Sequence, residues 1–438
     1  MMLKYGALSL VVTQCVASLR LVTYIDQWHT VGLPGKNRTQ GISHAIMAFA
    51  NSTLFNSDVP EPFKPFEPVS TMRNRFPRDT KVLIAIGGWG DTSGFSEAAK
   101  TESSRERYAK NVATMLVSAG FDGVDIDWEY PGGNGGDYRS ICNEEKLSEV
   151  QNYPLLLQAL RKEIGNNKTL SIATPGKRED MIAYTLETGP EIWESVDMIN
   201  VMSYDLMNRR SNKTMHHSAV ANSLDSIHAY LEIGAPPEKL NLGFAFYAKW
   251  FTTQPYADCE RHPIGCPTVV MENQDGSDNR KSGVVTFEPQ NMVPPPTNLQ
   301  VSTNGICGLT NRLECPNGSC CNADGYCGDT DEYCLGDCQG GYGTCSGPQI
   351  TDSWSRARKN GKVDQNLGGQ YYVDMEENLF WTWDTPSLIQ RKFRDIVDTA
   401  RLGGVMAWSL GEDTYNFEHL RAMQKGVRQR SANNSTRC

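Results

Sequence analysis

The stretch FDGVDIDWEYP, from Phe121 to Pro131, constrains this chain more than any other. Its carboxylates Asp125, Asp127 and Glu129 stand at positions i, i+2 and i+4. Because alternate side chains of an extended strand share a face, all three carboxylates point the same way. Buried carboxylates are costly unless they are hydrogen-bonded, charge-compensated or protonated. Clustered carboxylates also push each other's pKa values apart, which lets a site keep one proton to donate.

The alternative is an acidic edge strand that faces solvent. The opposite face of the segment carries the apolar side chains of Val124, Ile126 and Trp128. Gly123 and Pro131 bound the segment tightly. We therefore favour a buried strand that carries an acid–base site.

The N-terminal segment 1–18 has the pattern of a secretory signal peptide. Lys4 precedes a short apolar run, and small residues follow near Cys15 and Ala17. The alternative is a first buried strand. No later run is long and apolar enough to cross a bilayer. The sequence therefore predicts a secreted, extracellular protein without a membrane partner.

Charge and cysteine content agree with this prediction. The 438 residues carry a formal net charge of -9 and no basic run, which argues against a nucleic-acid partner. Of the 13 Cys, one lies in the predicted signal, so an even number remains for disulfides. If the chain passes through a glycosylating compartment, its sequons are candidate acceptors. They are Asn37, Asn51, Asn167, Asn212, Asn317, Asn433 and Asn434.

Apolar strands alternate with amphipathic helical segments along most of the chain. The predicted strands are Arg20–Trp28, Gly41–Ala50, Lys81–Gly88, the segment around Asp125, Thr169–Gly176, Val196–Asp205, Leu240–Trp250 and Gly403–Asp413. Eight such units predict an α/β fold, a closed (β/α)8 TIM barrel. An open doubly wound sheet is the alternative, but no GxGxxG follows the first strand. Unusual residues recur near the carboxyl ends of these strands, where barrel enzymes place their chemistry. These residues are Tyr24, Trp89, Glu129, Tyr204, Asp205, Tyr247 and Trp408.

The stretch 252–372 breaks the alternation and is rich in Pro, Gly, Asn and Cys. It predicts an α+β insertion domain between barrel strand 7 and helix 7, with Val284–Phe287 and Tyr371–Trp383 as strands of a small sheet. The barrel itself is predicted over 19–251 and 373–438. A unit at 307–345 holds eight cysteines and is too small to fold without disulfides. A zinc site is the alternative, but the adjacent pair Cys320-Cys321 does not suit tetrahedral ligation.

Four cysteines remain outside this unit. Cys259 and Cys266 close a short loop, which predicts that they pair. Elimination then leaves Cys142 and Cys438 as the remaining pair.

Several motifs together resemble those of the family 18 glycoside hydrolases, the chitinases. DGVDIDWE matches the DxxDxDxE signature of that family. KVLIAIGGW resembles its SxGG strand, NVMSYD its QxMxYD strand, and LGFAFYAK and GGVMAWSLGED its last two strands. The motifs occur in the family's order and cover most of the chain. The resemblance implies a TIM barrel that cleaves chitin and chitooligosaccharides.

The resemblance also implies a role for each site residue. Glu129 would be the general acid, Asp127 would stabilise the reacting acetamido group, and Asp125 would share a proton with Asp127. Tyr204 would donate a hydrogen bond to the acetamido oxygen. The remaining residues would form the substrate-binding surface: Tyr24, Trp89, Met202, Asp205, Tyr247 and Trp408.

This chain departs from the family pattern at three positions. The serine of SxGG is Ala85, which removes a hydroxyl expected to bond Asp125, although Tyr24 could still serve that carboxylate. The glutamine of QxMxYD is Asn200, which is a shorter amide. A family arginine is Lys249, which keeps the charge but loses the bidentate fork.

The cysteine-rich unit resembles a hevein-type chitin-binding module. That resemblance implies the pairs Cys307–Cys321, Cys315–Cys327, Cys320–Cys334 and Cys338–Cys345. The sugar-binding positions would be Asn322, Tyr326 and Tyr333. Asp324 replaces an aromatic residue of the family, so we expect weaker sugar binding or a structural role.

Three functions remain to be distinguished. The first is a secreted chitinase that acts as a monomer and needs no cofactor and no metal. The second is a lectin-like chitin-binding protein that has lost catalysis, which the presence of Glu129 disfavours. The third is a hydrolase of N-linked glycans, which the large insertion and the cysteine-rich unit disfavour.

Overall fold

The computed structural model describes residues 19–292, 296–336 and 338–435. The predicted signal segment 1–18 and Cys438 lie outside the described residues. The first strands are β1 (Arg20–Asp26), β2 (His44–Ala50), β3 (Lys81–Gly87), β4 (Gly123–Asp127), β5 (Thr169–Pro175), β6 (Met198–Met202), β7 (Leu240–Ala245), β8 (Tyr247–Thr252) and β9 (Ser282–Thr286). They are followed by β10 (Gln300–Val301), β11 (Leu313–Glu314), β12 (Cys320–Cys321), β13 (Cys327–Gly328), β14 (Lys362–Asp364), β15 (Gly369–Asp374), β16 (Leu379–Trp383) and β17 (Gly404–Trp408).

The helices pack around and between these strands. They are α1 (Val69–Asn74), α2 (Ser93–Ala99), α3 (Glu102–Ala119), α4 (Leu147–Ile164), α5 (Gly189–Ser195), α6 (Val220–Glu232), α7 (Pro289–Met292), α8 (Gly308–Asn311), α9 (Asp331–Cys334), α10 (Ile350–Asn360), α11 (Pro386–Lys392) and α12 (Glu418–Ser435). Among the described residues, no helix has both the length and the apolar character needed to cross a membrane.

Eight parallel strands close into a barrel in the order β1-β17-β7-β6-β5-β4-β3-β2. This confirms the predicted TIM barrel. Strand β4 lies between β3 and β5, and its Asp125 stands in register with Ala85 on one side and Ser171 on the other. At the start of β4, a Cβ on Gly123 would lie 2.2 Å from the carbonyl oxygen of Thr169, so only glycine permits this close approach.

Helix α3 delivers the chain to β4. Its first turn is fixed by a capping box in which Thr101 and Ser104 bond each other's backbone N–H groups. It ends at Ala119, and the Gly120 that caps it has a φ of 81°, which glycine readily adopts. Clear signals at both ends therefore set where the carboxylate strand begins.

The seventh predicted strand, Leu240–Trp250, is wrong as a single element. The chain forms barrel strand β7 and then β8, which belongs to a separate antiparallel sheet of order β14-β15-β16-β8-β9. Continuous apolar sequence concealed the break, because both strands are buried. The second sheet draws β8 and β16 from ranges that the sequence analysis assigned to the barrel. A core that includes Trp250, Trp354 and Trp381 packs this sheet against α10.

The cysteine-rich unit is held by disulfides. The structure joins Cys307 to Cys321, Cys315 to Cys327, Cys320 to Cys334 and Cys338 to Cys345, the pairs that the resemblance implies. A fifth disulfide joins Cys259 to Cys266. Cys142 is exposed and has no disulfide partner among the described residues. Because Cys438 is not described, its pairing with Cys142 stays a prediction.

Candidate active site

Asp125 is the innermost carboxylate of the barrel mouth, and its side chain is fully buried. Tyr24 donates a hydrogen bond to Oδ2 at 2.7 Å, and Ser171 donates one to Oδ1 at 2.5 Å. The Asn200 amide nitrogen lies 3.2 Å from the same Oδ1. Burial raises the pKa of Asp125 to about 6, and the three hydrogen bonds oppose this rise by stabilising its charged form. Asp125 can therefore hold or release a proton near neutral pH.

Ser171 supplies the hydroxyl that Ala85 cannot. Both residues flank Asp125 in the barrel, Ala85 from β3 and Ser171 from β5. The hydroxyl that bonds this carboxylate thus comes from the strand on the other side. Asn200, despite its shorter amide, reaches both Asp125 and the Tyr24 hydroxyl, and its own oxygen accepts a bond from Asn241 at 2.8 Å.

Asp127 and Glu129 lie next along the chain. Asp127 is the last residue of β4, whereas Glu129 lies two residues beyond the strand. Asp127 is 3% exposed, and its Oδ1 is buried without a hydrogen-bond partner among the described residues. Burial and the neighbouring charges of Glu129 and Asp125 raise the pKa of Asp127 well above its usual value. The hydrogen-bonding capacity of this buried oxygen is therefore not satisfied by the described residues.

Glu129 is well suited to donate a proton. Burial raises its pKa to about 8, against a lowering hydrogen bond from Tyr130, and the charges of Asp205 and Asp180 raise it further. At neutral pH this carboxyl is therefore mostly protonated. A raised pKa of this kind is the property that a general acid requires.

Asp205, in contrast to Glu129, is a stable anion in the site. Burial alone would raise its pKa, but Lys249 at 3.1 Å, His217 at 3.6 Å and the Tyr247 hydroxyl at 2.9 Å lower it below the usual range. The charge that Lys249 keeps at this position is therefore paired with Asp205. The Tyr204 hydroxyl lies 3.9 Å from Sδ of Met406, a weak acceptor, so it can donate to a better one.

Aromatic rings line the rest of the mouth. The Trp408 ring lies 5.5 Å from that of Tyr24 and 5.5 Å from that of Phe49, centre to centre. Met202, the last residue of β6, is half-buried and packs in the same cluster. Trp89 stands two residues beyond β3 and is 49% exposed. Rings of this kind can stack on the apolar faces of sugars.

The predicted residues of the cysteine-rich unit lie at its surface and in its interior. Tyr326 is 55% exposed, and Asp324 is also exposed. Asn322 accepts a hydrogen bond from the Tyr326 backbone N–H at 2.8 Å, which fixes the turn between them. Tyr333 is half-buried beneath Gly328, where a Cβ would come within 2.5 Å of its ring.

The titration of Glu129 predicts a pH-dependent stability. Between about pH 4.5 and 8 the native state keeps the Glu129 proton and the unfolded state releases it, so the wild type loses stability as pH rises. The loss approaches ~1.4 kcal/mol per pH unit while this difference persists. Glu129→Gln lacks the titration, so its free energy of unfolding relative to wild type should increase by more than ~1 kcal/mol from about pH 5 to about pH 7.5.

Chemical denaturation of both proteins at the two pH values measures this change. The exposed Glu97 provides the control, since Glu97→Gln should track the wild type at both values. A difference between Glu129→Gln and wild type that does not vary with pH would show that Glu129 is ionised in the native protein.

The sequence reasoning missed Ser171, His217 and Arg210. Ser171 occupies a strand position level with Asp125, and a hydroxyl there was the available signal. His217 and Arg210 lie on the segment that follows β6, outside any motif. Their proximity to the site depends on how that segment folds back.

Comparisons with known proteins find a matching family and similar chains. The family model described as glycosyl hydrolases family 18 matches residues 20–413. Chitotriosidase-1 of Mus musculus is 26% identical over 313 residues, which cover 64% of this chain and 64% of that protein. An endochitinase of Manduca sexta is 30% identical over 294 residues, 59% of this chain and 50% of that protein. Each match thus spans less than two thirds of the relative's length.

Solved structures share the fold. A plant class V chitinase mutant from Cycas revoluta, in complex with (GlcNAc)3, superimposes with a TM-score of 0.61 at 18% identity. The match covers 93% of this chain and 99% of that one. At this level of identity the likeness concerns the fold alone.

Proposed function

Because the chain belongs to glycosyl hydrolase family 18, we propose that it is a secreted chitinase. It hydrolyses β-1,4 linkages between N-acetylglucosamine units with retention of the anomeric configuration. The family is an exception to the two-carboxylate scheme and uses the substrate's own acetamido group as nucleophile. One observation carries the proposal: Glu129, whose pKa burial raises to about 8, lies two residues beyond Asp127 at the end of the same barrel strand.

The reaction begins with proton transfer from Glu129 to the glycosidic oxygen. The acetamido carbonyl oxygen attacks the anomeric carbon as the bond to the leaving sugar breaks, which gives an oxazolinium ion. Asp127 accepts a hydrogen bond from the acetamido N–H and stabilises the positive charge. Asp125 shares a proton with Asp127, which its pKa of about 6 permits. Water then attacks the anomeric carbon and opens the oxazolinium ring, while the ionised Glu129 removes a proton from that water.

The other side chains orient the substrate. Tyr204 donates its hydroxyl to the acetamido oxygen, and Asp205 and Met202 shape the pocket around that group. Tyr247 holds Asp205 in place through its hydroxyl. Lys249 keeps Asp205 ionised.

Aromatic side chains bind the sugar faces. Trp408 is the floor beneath the sugar at the cleavage point, braced by Tyr24 and Phe49. Trp89 stacks a sugar on the leaving-group side, where half of its surface is free.

The test compares two kinds of substrate. The purified protein is incubated with chitooligosaccharides and, separately, with a glycoprotein that carries N-linked glycans, from acid to neutral pH. The proposal expects release of short chitooligosaccharides and no release of glycans. Binding of chitooligosaccharides without turnover would instead identify a lectin-like protein, and release of glycans would identify the third candidate function.

We further propose that the cysteine-rich unit binds chitin through the exposed ring of Tyr326. Tyr326→Ala is expected to lower retention on insoluble chitin several-fold and to leave hydrolysis of soluble oligomers unchanged, because the unit takes no part in the chemistry. Tyr256, which is 99% exposed in the insertion, provides the matched control variant Tyr256→Ala. Unchanged retention of the Tyr326 variant would assign the unit a structural role.

The proposed export rests on the N-terminal segment and on the disulfides. Five disulfides occur among the described residues, and such bonds persist in oxidising compartments. N-terminal sequencing of protein from the culture medium should find a chain that begins near residue 19. A chain found only inside cells with residues 1–18 retained would contradict export.

A further inference from the structure

Two arginines lie over the ring of Trp89, and the mechanism above uses neither. The guanidinium carbon of Arg210 is 5.5 Å from the centre of that ring, and that of Arg209 is 5.9 Å away. Guanidinium groups stack favourably on aromatic faces. Tyr130, which follows Glu129, meets the same ring edge-on at 6.3 Å. Trp89 is thus contacted by side chains from two other barrel loops.

Arg210 is held firmly by the loop that follows β4. Its guanidinium carbon lies 3.8 Å from the centre of the Tyr138 ring. Its two terminal nitrogens donate to the carbonyl oxygens of Asn134 at 2.8 Å and Gly135 at 2.9 Å. With its donors bound to fixed backbone carbonyls, the guanidinium cannot easily leave the Trp89 ring.

Glu272 connects this cluster to the insertion. Its carboxylate lies 3.0 Å from Nε of Arg209 and 3.6 Å from Nε of Arg210, and it accepts a hydrogen bond from the Tyr138 hydroxyl at 2.5 Å. The Glu272 side chain is only 7% exposed. An ion pair of this burial costs desolvation energy, and the two hydrogen bonds that Glu272 accepts from Arg209 and Tyr138 offset that cost.

We propose that Arg210, anchored by Glu272 and Tyr138, is a positioning residue that fixes the Trp89 ring for the sugar on the leaving-group side. The inference rests on the proposed function and deepens it. It identifies the residues that bind the part of the oligomer on the leaving-group side of the cleaved bond. A ring held in its bound orientation loses less freedom when the sugar stacks on it. The insertion therefore contributes to substrate binding through Glu272.

The test uses two substrates that differ on the leaving-group side. Chitohexaose places sugars on both sides of the cleaved bond, whereas chitobiose oxazoline has no leaving group. Arg210→Ala is expected to lower kcat/KM for chitohexaose about tenfold and to leave the oxazoline within about twofold. Arg210→Lys keeps the charge but loses the planar stack, and it should resemble Arg210→Ala.

The chain offers a matched control in Arg139. The guanidinium of this exposed arginine lies 5.0 Å from the centre of the same Tyr138 ring, and its Nε donates to the Tyr138 hydroxyl at 2.9 Å. It has no contact with Trp89 among those described. Arg139→Ala should therefore leave both substrates unchanged. In a Trp89→Ala background, Arg210→Ala should add little further loss, because the ring that it positions is gone.

Two results would overturn the inference. One is an equal effect of Arg210→Ala on both substrates, and the other is an undiminished effect in the Trp89→Ala background. Calorimetric binding of chitohexaose to Glu129→Gln, with and without Arg210→Ala, separates this inference from the proposed function. A wild type that binds but does not turn over chitohexaose contradicts the proposed function alone, and tenfold weaker binding of the double variant would still support the role of Arg210.

Discussion

Glu129→Gln is expected to lower kcat on chitohexaose about 10³-fold, because positioned acids contribute about 10²–10⁴-fold. The amide has nearly the shape of the acid but cannot protonate the leaving oxygen. Affinity for the oligomer should stay within about threefold, since the aromatic platforms remain. In the wild type, kcat/KM should fall as pH rises through about 8, where the acid loses its proton. Rate and binding measurements on both proteins check the prediction.

The exposed Glu97 again supplies the control. Glu97→Gln should retain the activity and pH profile of the wild type. If Glu129→Gln kept more than a tenth of wild-type kcat, another group would have to be the acid.

Asp127→Asn is expected to lower kcat about 10²-fold, the scale on which removal of one stabilising group acts in other active sites. The amide can still accept a hydrogen bond from the acetamido N–H, but it carries no charge to balance the oxazolinium ion. It also cannot share a proton with Asp125. Steady-state kinetics on chitohexaose measures the loss.

Ser171→Ala provides the contrast for this prediction. The Ser171 hydroxyl bonds Asp125 and lies one step further from the reacting group. Ser171→Ala removes a hydrogen bond that lowers the pKa of Asp125, so the pH profile of the activity should shift to higher pH. The loss in kcat should be about tenfold or less. A larger loss for Ser171→Ala than for Asp127→Asn would reverse the assigned order of the two carboxylates.

Much of the fold could be predicted from the sequence because the barrel strands are short and apolar and alternate with helical segments. The break between β7 and β8 could not be predicted, because Phe246 and its neighbours are all buried. The hydrophobic pattern of the sequence does not change where the chain passes from one sheet to the other. Only the pairing of β8 with β9 and β16 reveals that the chain has left the barrel. A continuous apolar run can therefore hide a boundary between two sheets.

Some residues of the candidate site could likewise be predicted from the sequence, and others could not. Asp125, Asp127 and Glu129 lie within five consecutive residues, so local spacing was enough to identify them. The Ser171 hydroxyl bonds Asp125 across 46 positions, and Glu272 meets Arg209 across 63. Contacts between residues so distant in sequence arise from the closed barrel and its insertion. The spacing of residues along the sequence alone cannot predict such contacts.

The configuration of the first product tests the central claim most directly. Hydrolysis of chitohexaose is followed by proton NMR from the first minutes, before the new reducing ends mutarotate. Attack by the acetamido group followed by water gives two inversions, so the account predicts that the β-anomer appears first. Initial formation of the α-anomer would mean direct attack by water and would contradict the proposed roles of Asp127 and Glu129.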